Sequence, residues 1–323
     1  MSIIIIKFGG SSLADPGKIR RAAALVLGAR RRGLRPVAVV SAPADSTDDL
    51  LKLACLTGGE DRPPRENDAL LAAGEQISAA LMAMALEAEG ARAVSLTGRQ
   101  AGIKTDAAFS CADVTSVDAR RLKKELKAGR IPVVAGFQGI SPAGDITTLG
   151  RGGSDLSAVV IARALGAAAC EFRTDVKGIY TAHPAIVPEA RKIKKISYGE
   201  VIALAALGTE VRQLRAVRYA ARHGITLHLR SSFHDEQGTL VTEGGGQAGV
   251  TCLSIEKAGA SGKVSLIGRG LGRAHLEKAR AAANAAGIPA GKAGTAKNAL
   301  CFTVRAAQTE ELLKILHRAF IRA

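Results

Sequence analysis

The stretch Thr147–Asp155 reads TTLGRGGSD, and an apolar run, Leu156–Leu165, follows it. Three glycines let a backbone turn sharply and come close to a ligand. A glycine loop that opens a helix aims amides and the helix dipole at an anion. Arg151 adds a planar fork suited to a carboxylate. Taken alone, the segment is a phosphate cradle, a carboxylate site or only a turn. In each case it enters a helix, and the question is whether such loops recur along the chain.

They do. Apolar, β-branched runs alternate with helical spacing. Ile3–Ile6 reads as a strand, Lys18–Arg32 as a helix ending at Gly33, and Val37–Ser41 as a strand. Glu66–Glu89 is a long helix and Ala93–Leu96 a strand. Asp118–Ala128 is a helix, Ile131–Ala135 a strand, Ser154–Leu165 a helix and Ala168–Phe172 a strand. Short helices around Gly199–Leu207 and Arg215–Arg222 precede a strand at Thr226–Arg230. This alternation predicts a mainly parallel sheet covered on both faces, with ligands at the carboxyl ends of its strands. HDEQGTLVTEGGGQAG, from His234, reads as a linker. Beyond it, strands at Val250–Ile255, Lys263–Ile267, near Gly291–Thr295 and at Ala299–Val304, with helices at Ala274–Ala286 and Thr309–Phe320, predict a small α+β domain.

With 323 residues, the chain has room for two domains. Five cysteines without a CxxC pair suggest neither a disulfide framework nor a zinc site, and point to a reducing cytoplasm. The opening MSIIIIKFGG reads as a buried strand rather than a signal peptide, and no run of apolar residues suggests a membrane span. Lys and Arg number 45 against 29 Asp and Glu, a net charge of +16. With three Tyr, seven Phe and no Trp, stacking platforms for nucleic acid are scarce. The charge fits a solvated Arg-rich surface, or a field that draws small anions such as nucleotides.

Neither a Walker A loop nor a strand-borne GxGxxG is present, and Gly268, Gly270 and Gly272 read as a loop. The candidates are therefore strand-end loops. KFGGSS (Lys7–Ser12) sets an ammonium beside glycine amides, an anion nest or a plain turn. SAPADSTDDLL (Ser41–Leu51) offers hydroxyls and carboxylates that also suit helix caps. In LLAAGEQISAAL (Leu70–Leu81), Gly74 and Glu75 interrupt an apolar helix. A glycine there costs about 1 kcal/mol against alanine. Glu75 is a site residue or simply exposed. TDVKGIYTAHP (Thr174–Pro184) closes another strand.

In this order, KFGGSS, LLAAGEQIS, LTGRQAGIKTD, VVAGFQG, TTLGRGGSD and TDVKGIYTAHPAIVPEARKI, with RSSF at 230–233, resemble the aspartate kinases of the amino acid kinase family. The resemblance covers nearly the whole chain. It implies a three-layer α/β fold with a mainly parallel central sheet: a catalytic domain over 1–232, a linker over 233–249 and a small α+β ACT-like domain over 250–323. It implies ATP-dependent phosphorylation of the side-chain carboxylate of L-aspartate, in aspartate-family amino acid biosynthesis, with Mg2+ carried on ATP. A cytoplasmic homodimer goes with it, without membrane or nucleic acid as partners. By the same resemblance Lys7 stabilises the transferring phosphoryl group, and the amides of Gly9, Gly10 and Ser11 hold phosphates. Thr174, Asp175 and Tyr180 match nucleotide positions. Ser41, Thr47, Glu75, Arg151 and Ser154 surround aspartate, with Arg151 on the α-carboxylate and Glu75 on the ammonium. Asp155 orders the cleft.

The chain also departs from the family. Lys177 and His183 stand where aspartates are usual, Ala185 where an arginine is, and Glu210 where a lysine faces the phosphates, with Arg212 two residues on. Only one ACT-like module remains, which implies weak or altered feedback control. The alternative is a diverged relative that binds the amino acid but uses ATP poorly, or a kinase for another amino acid.

Overall fold

The computed structural model describes residues 1–207, 214–246, 248–289, 291 and 293–321. In chain order the elements begin β1 (Ile3–Phe8), α1 (Pro16–Arg31), β2 (Arg35–Val40), α2 (Ser46–Gly58), α3 (Pro64–Ala88) and β3 (Ala93–Leu96). Next come β4 (Ile103–Thr105), β5 (Val114–Val117), α4 (Arg120–Lys127), β6 (Ile131–Ala135), β7 (Gln138–Ile140), β8 (Ile146–Thr148), α5 (Gly153–Leu165) and β9 (Ala169–Thr174). Then follow β10 (Lys195–Ser197), α6 (Tyr198–Ala206), α7 (Leu214–His223), β11 (Leu227–Ser231) and β12 (Thr239–Thr242). The last are β13 (Gly249–Ala258), β14 (Ser261–Arg269), α8 (Arg273–Ala285), β15 (Ala293–Ala296), β16 (Ala299–Arg305) and α9 (Thr309–Phe320). They fall into two compact units, Met1–Lys177 with Arg222–Glu236, and Gly178–Ala221 with Gln237–Ala323.

In the first unit, strands run β11-β9-β1-β2-β6-β3, every pair parallel. Side chains alternate across a strand. Ile4, Ile6 and Phe8 of β1 join Ala38, Val40, Val133 and Ala135 in a core closed by α1 and α3. Ile5, Val37 and Val39 are also fully buried but lie outside that cluster, so they face the opposite side. There α5 packs on β1, β2 and β9. Helices thus cover both faces, as the alternation predicts. α1 starts at Pro16 behind Asp15, whose carboxylate accepts from the Lys18 amide at 2.8 Å, a standard cap for the orphan amides of a first turn.

A second, four-stranded sheet, β5-β4-β7-β8, has no counterpart in the sequence reading. Its strands are three or four residues long and carry little apolar alternation. The sequence pattern does not announce α2 either: its first turn lies in the loop whose hydroxyls and carboxylates suit helix caps. α3 corrects the membrane reading on one point. By length and composition it is apolar enough to cross a bilayer. One of its faces is buried, through Leu71, Ala72, Ala79, Met82 and Leu86, while Ile77, Leu81 and Met84 are exposed.

The second unit holds the parallel pair β10–β12 and the antiparallel sheet β13-β14-β16-β15. α8 and α9 supply Ala279, Ala283, Leu312, Leu313 and Leu316 to a core with Val264, Leu266, Leu300 and Phe302. The same core includes Ala182 and Val187. β12 lies inside the stretch read as a linker, because Leu240 and Val241 carry enough apolar side chain to pair.

Candidate functional site

Four strand ends of the first unit are stitched together by backbone hydrogen bonds. The Gly9 amide donates to the Arg173 carbonyl at 3.0 Å, joining β1 to β9. The Ser41 amide donates to Phe8 at 3.1 Å, and the Gly136 amide to Val40 at 3.0 Å, bringing in β2 and β6. Past β1 the chain makes one 3-10 turn, Gly10–Ser12. The first amides of such a turn have no partner within it. Gly10 is required there: a Cβ would lie 2.9 Å from the Ala42 carbonyl oxygen. The Ala44 amide also reaches the Gly10 carbonyl at 3.1 Å.

Lys7 sits within β1, not beyond it, and is 6% exposed. The alternation turns it toward α5, away from the core of α1 and α3. Its Nζ lies 2.6 Å from Asp155 Oδ1. Asp155 occupies the first turn of α5, behind Gly152, whose φ of 68° is left-handed. That helix end comes close to the sheet because position 136 lacks a Cβ. One added there would stand 2.8 Å from Ser154 Cβ and 3.0 Å from the Val40 carbonyl oxygen.

Glu75 is 4% exposed, so the exposed reading is overturned. Its Oε1 accepts from Ser154 Oγ at 3.4 Å, and its Oε2 has no hydrogen-bond partner among the described residues. Burial pushes its pKa up to about 7, offset in part by the Ala42 amide, by Ser154 and by the charge of Lys7. Gly74 explains the interruption of the helix: a Cβ there would meet Ala42 Cβ at 2.8 Å, so the glycine lets α3 come close to the β2 loop.

Of the other sequence candidates, Ser41 is half-buried at the same strand end, and Thr47 is half-buried in the first turn of α2. Arg151 is exposed on the loop before α5 and has no ion-pair partner among the described residues. Thr174 is buried at the end of β9, where its Oγ1 accepts from the Val176 amide at 3.3 Å. Asp175 beside it is exposed. Tyr180 lies in the second unit, bridged to Lys192. His183 and Ala185 are exposed in that unit, and Lys177 pairs with Glu236 at 3.2 Å. Glu210 and Arg212 lie outside the described residues.

Two features escaped the sequence reading. Glu171 and Arg173 alternate within the apolar strand ACEFRT and form a buried ion pair. Arg173 also donates to the Ser231 carbonyl at 2.7 Å, and Arg230 Nη1 lies 3.6 Å from Glu171. Two charges in a buried strand were the available signal, since burial demands pairing. The pair braces the β9 end beneath Gly9, while Ser12 Oγ and Ser232 Oγ, 2.7 Å apart, tie the 3-10 turn to the RSSF segment. The second feature is Asp68, fully buried on α3.

The model of the amino acid kinase family matches residues 2–231. An aspartokinase of Mycobacterium tuberculosis strain H37Rv is 50% identical over 242 residues, 75% of this chain and 57% of that one. An aspartokinase of Thermus thermophilus is 46% identical over 244 residues, 75% of this chain and 60% of that one. The chain thus spans less than two thirds of the length of these curated relatives. The crystal structure of aspartate kinase from Synechocystis is similar with a TM-score of 0.67 at 28% identity, over 99% of this chain and 70% of that one. Aspartokinase III of E. coli, in complex with lysine and aspartate, is similar in fold, with a TM-score of 0.85 at 21% identity over 99% of this chain and 100% of that one.

Proposed function

The chain belongs to the amino acid kinase family, and from that premise we propose that it transfers the γ-phosphoryl group of ATP to the side-chain carboxylate of L-aspartate. One observation carries the reading. A buried lysine–aspartate pair stands at the mouth of the central strand, and the α3–α5 junction beside it holds a buried glutamate oxygen that has no hydrogen-bond partner among the described residues. An unpaired buried acceptor is costly, and the ammonium of an amino acid is its natural complement.

The chemistry asks little of the protein. A free aspartate carboxylate has a reference pKa of about 3.9, so it is ionised at neutral pH and needs no general base. One of its oxygens forms the new bond to the γ-phosphorus, and the bond from that phosphorus to the leaving ADP oxygen breaks. Catalysis is then positioning and charge neutralisation. On this reading Lys7 stabilises the moving phosphoryl group, with Asp155 fixing its ammonium. The amides of Gly9, Gly10 and Ser11 hold phosphate oxygens, and Mg2+ arrives with ATP as part of the substrate. Arg151 pairs the α-carboxylate and Glu75 the ammonium, with Ser41, Thr47 and Ser154 completing the amino-acid side. Thr174 and Asp175 take the nucleotide side. The same reading makes the protein a cytoplasmic homodimer, with 1–232 as catalytic domain and 250–323 as an ACT-like module of altered effector control.

Purified protein with ATP, Mg2+ and L-aspartate is expected to form an acyl phosphate that hydroxylamine traps as the hydroxamate. Lys7→Ala is expected to lower kcat by roughly 10²–10³-fold, as removal of one group that stabilises transition-state charge does. Hydroxamate no higher than in the Lys7→Ala control overturns the proposal.

A further inference from the structure

α3 touches the glycine-rich segment at two points. Glu75 meets it at Ser154, and Asp68 meets it at Thr148. The two acids are seven positions apart on one helix, which places them on the same face about 10 Å apart along the axis.

The Asp68 contacts are the denser set. Its Oδ2 accepts from the Thr148 amide at 2.7 Å and the Ser110 amide at 2.9 Å. Its Oδ1 accepts from Thr148 Oγ1 at 2.8 Å, from the Ser110 amide at 3.0 Å and from Ser110 Oγ at 3.4 Å. Among the described residues no cation pairs with it. A fully buried carboxylate is tolerated on these terms only when donors satisfy it. Here, among the described residues, every donor comes from the Ser110 turn or from Thr148. Ser110 itself has φ 68°, uncommon for a residue with a side chain. Its carbonyl oxygen and Cys111 Sγ each stand 3.3 Å from where a Cβ on Gly150 would lie. The Ala112 amide returns to the Thr148 carbonyl at 2.9 Å. Asp68 therefore holds both the start of the Arg151 loop and the turn that props it at Gly150.

We propose that Asp68 is a positioning residue: together with Glu75 it clamps the Thr148–Ser154 loop at both ends, and so sets the spacing between Arg151 and Glu75. Resting on the aspartate reading above, this gives Asp68 control over how one amino acid spans its carboxylate grip and its ammonium grip. Between the anchors the loop contains Gly150, Gly152 and Gly153, whose backbone freedom would otherwise spread Arg151 over many positions.

The test uses the full chain carrying Asp68→Asn, or Thr148→Val, which removes only one hydroxyl contact. In ligand-free protein, amide hydrogen exchange in 149–154 is expected to speed up while β1 and β2 keep their wild-type rates. The KM for L-aspartate is expected to rise about tenfold or more with Asp68→Asn, as small misplacements of a binding group do, and the KM for ATP to stay within about threefold. Thr148→Val moves both readouts in the same direction by less, and it carries the test alone if Asp68→Asn does not fold. Unchanged exchange in 149–154 overturns the clamp. An equal rise in both KM values, or faster exchange spread through α3 and the sheet, marks a general structural role and overturns it as well. Wild-type protein that forms no acyl phosphate from aspartate overturns the proposed function instead, and the exchange comparison still decides the clamp.

Discussion

Glu75 binds an ammonium well only when ionised, and burial makes that ionisation expensive. Its raised pKa, about 7 in the free protein, has two consequences of opposite sign. For folding, the ordinary value of 4.5 applies to the unfolded chain. The fold carries no penalty from this group below about pH 4.5, and loses stability as pH rises from there through about 7. For binding, the substrate ammonium meets an ionised Glu75 in about half of the molecules at about pH 7, and in progressively fewer below it. The kcat/KM for L-aspartate is therefore expected to fall as pH drops through about 7, by up to about tenfold per pH unit, since that ratio reports ionisation of the free enzyme. Glu75→Gln should lower activity and remove this limb from the profile. A limb unmoved in Glu75→Gln would assign it to another group. None of this is visible in LLAAGEQIS alone. A glutamate in an apolar helix raises a question, but only the fold shows that it is buried against Ser154 with one oxygen unmatched among the described residues.

At the level of elements, α3 is the organiser of the first unit. One face enters the core through Ala79, Met82, Ala83 and Leu86, while Asp68 and Glu75 reach the glycine-rich segment. Gly74 shows how local propensity yields to tertiary contact. On propensity alone, Gly74→Ala would stabilise the helix by about 1 kcal/mol. The new Cβ, however, would stand 2.8 Å from Ala42 Cβ, closer than carbon atoms pack. Overpacking of this kind costs about 1–3 kcal/mol, so a net loss of stability is expected. Thermal unfolding of Gly74→Ala, and of Gly74→Ala with Ala42→Gly, measures it. The double variant should recover most of the loss, and a stabilised single variant would contradict the contact. The same contrast marks what the sequence could disclose about elements. β1, β2, β6, β9, α1, α3 and α5 carry long apolar periods, and the alternation reveals them. β4, β5, β7 and β8 owe their existence to pairing with one another, and strands of three or four residues leave no period to read. The stacking of α5 onto the sheet at Gly136 is likewise a distance between remote residues, not a pattern in either segment.

Over the whole molecule, KFGGSS and TTLGRGGSD could be ranked as candidate loops from sequence because glycine and charge at strand ends have few other uses. Their convergence through Lys7 and Asp155, and the packing of Ala182 and Val187 into one core with α8 and α9, depend on which remote segments share a core. Charge is the molecular property most directly legible in sequence, and it makes a separate prediction. A net charge of +16 produces a field that concentrates anions near the surface. That field acts more strongly on magnesium-bound ATP, which carries two net negative charges, than on aspartate, which carries one. Screening shortens its reach from about 10 Å at 0.1 M salt to about 3 Å at 1 M. Raising the salt from low to high concentration should therefore raise the KM for ATP several-fold, and the KM for L-aspartate by less. Steady-state kinetics with each substrate varied across a salt series measures this. An equal change in both would mean that the positive charge is spread over solvated surface away from the nucleotide. Tight binding to duplex DNA with a steep salt slope would mean that the charge serves a polyanion instead.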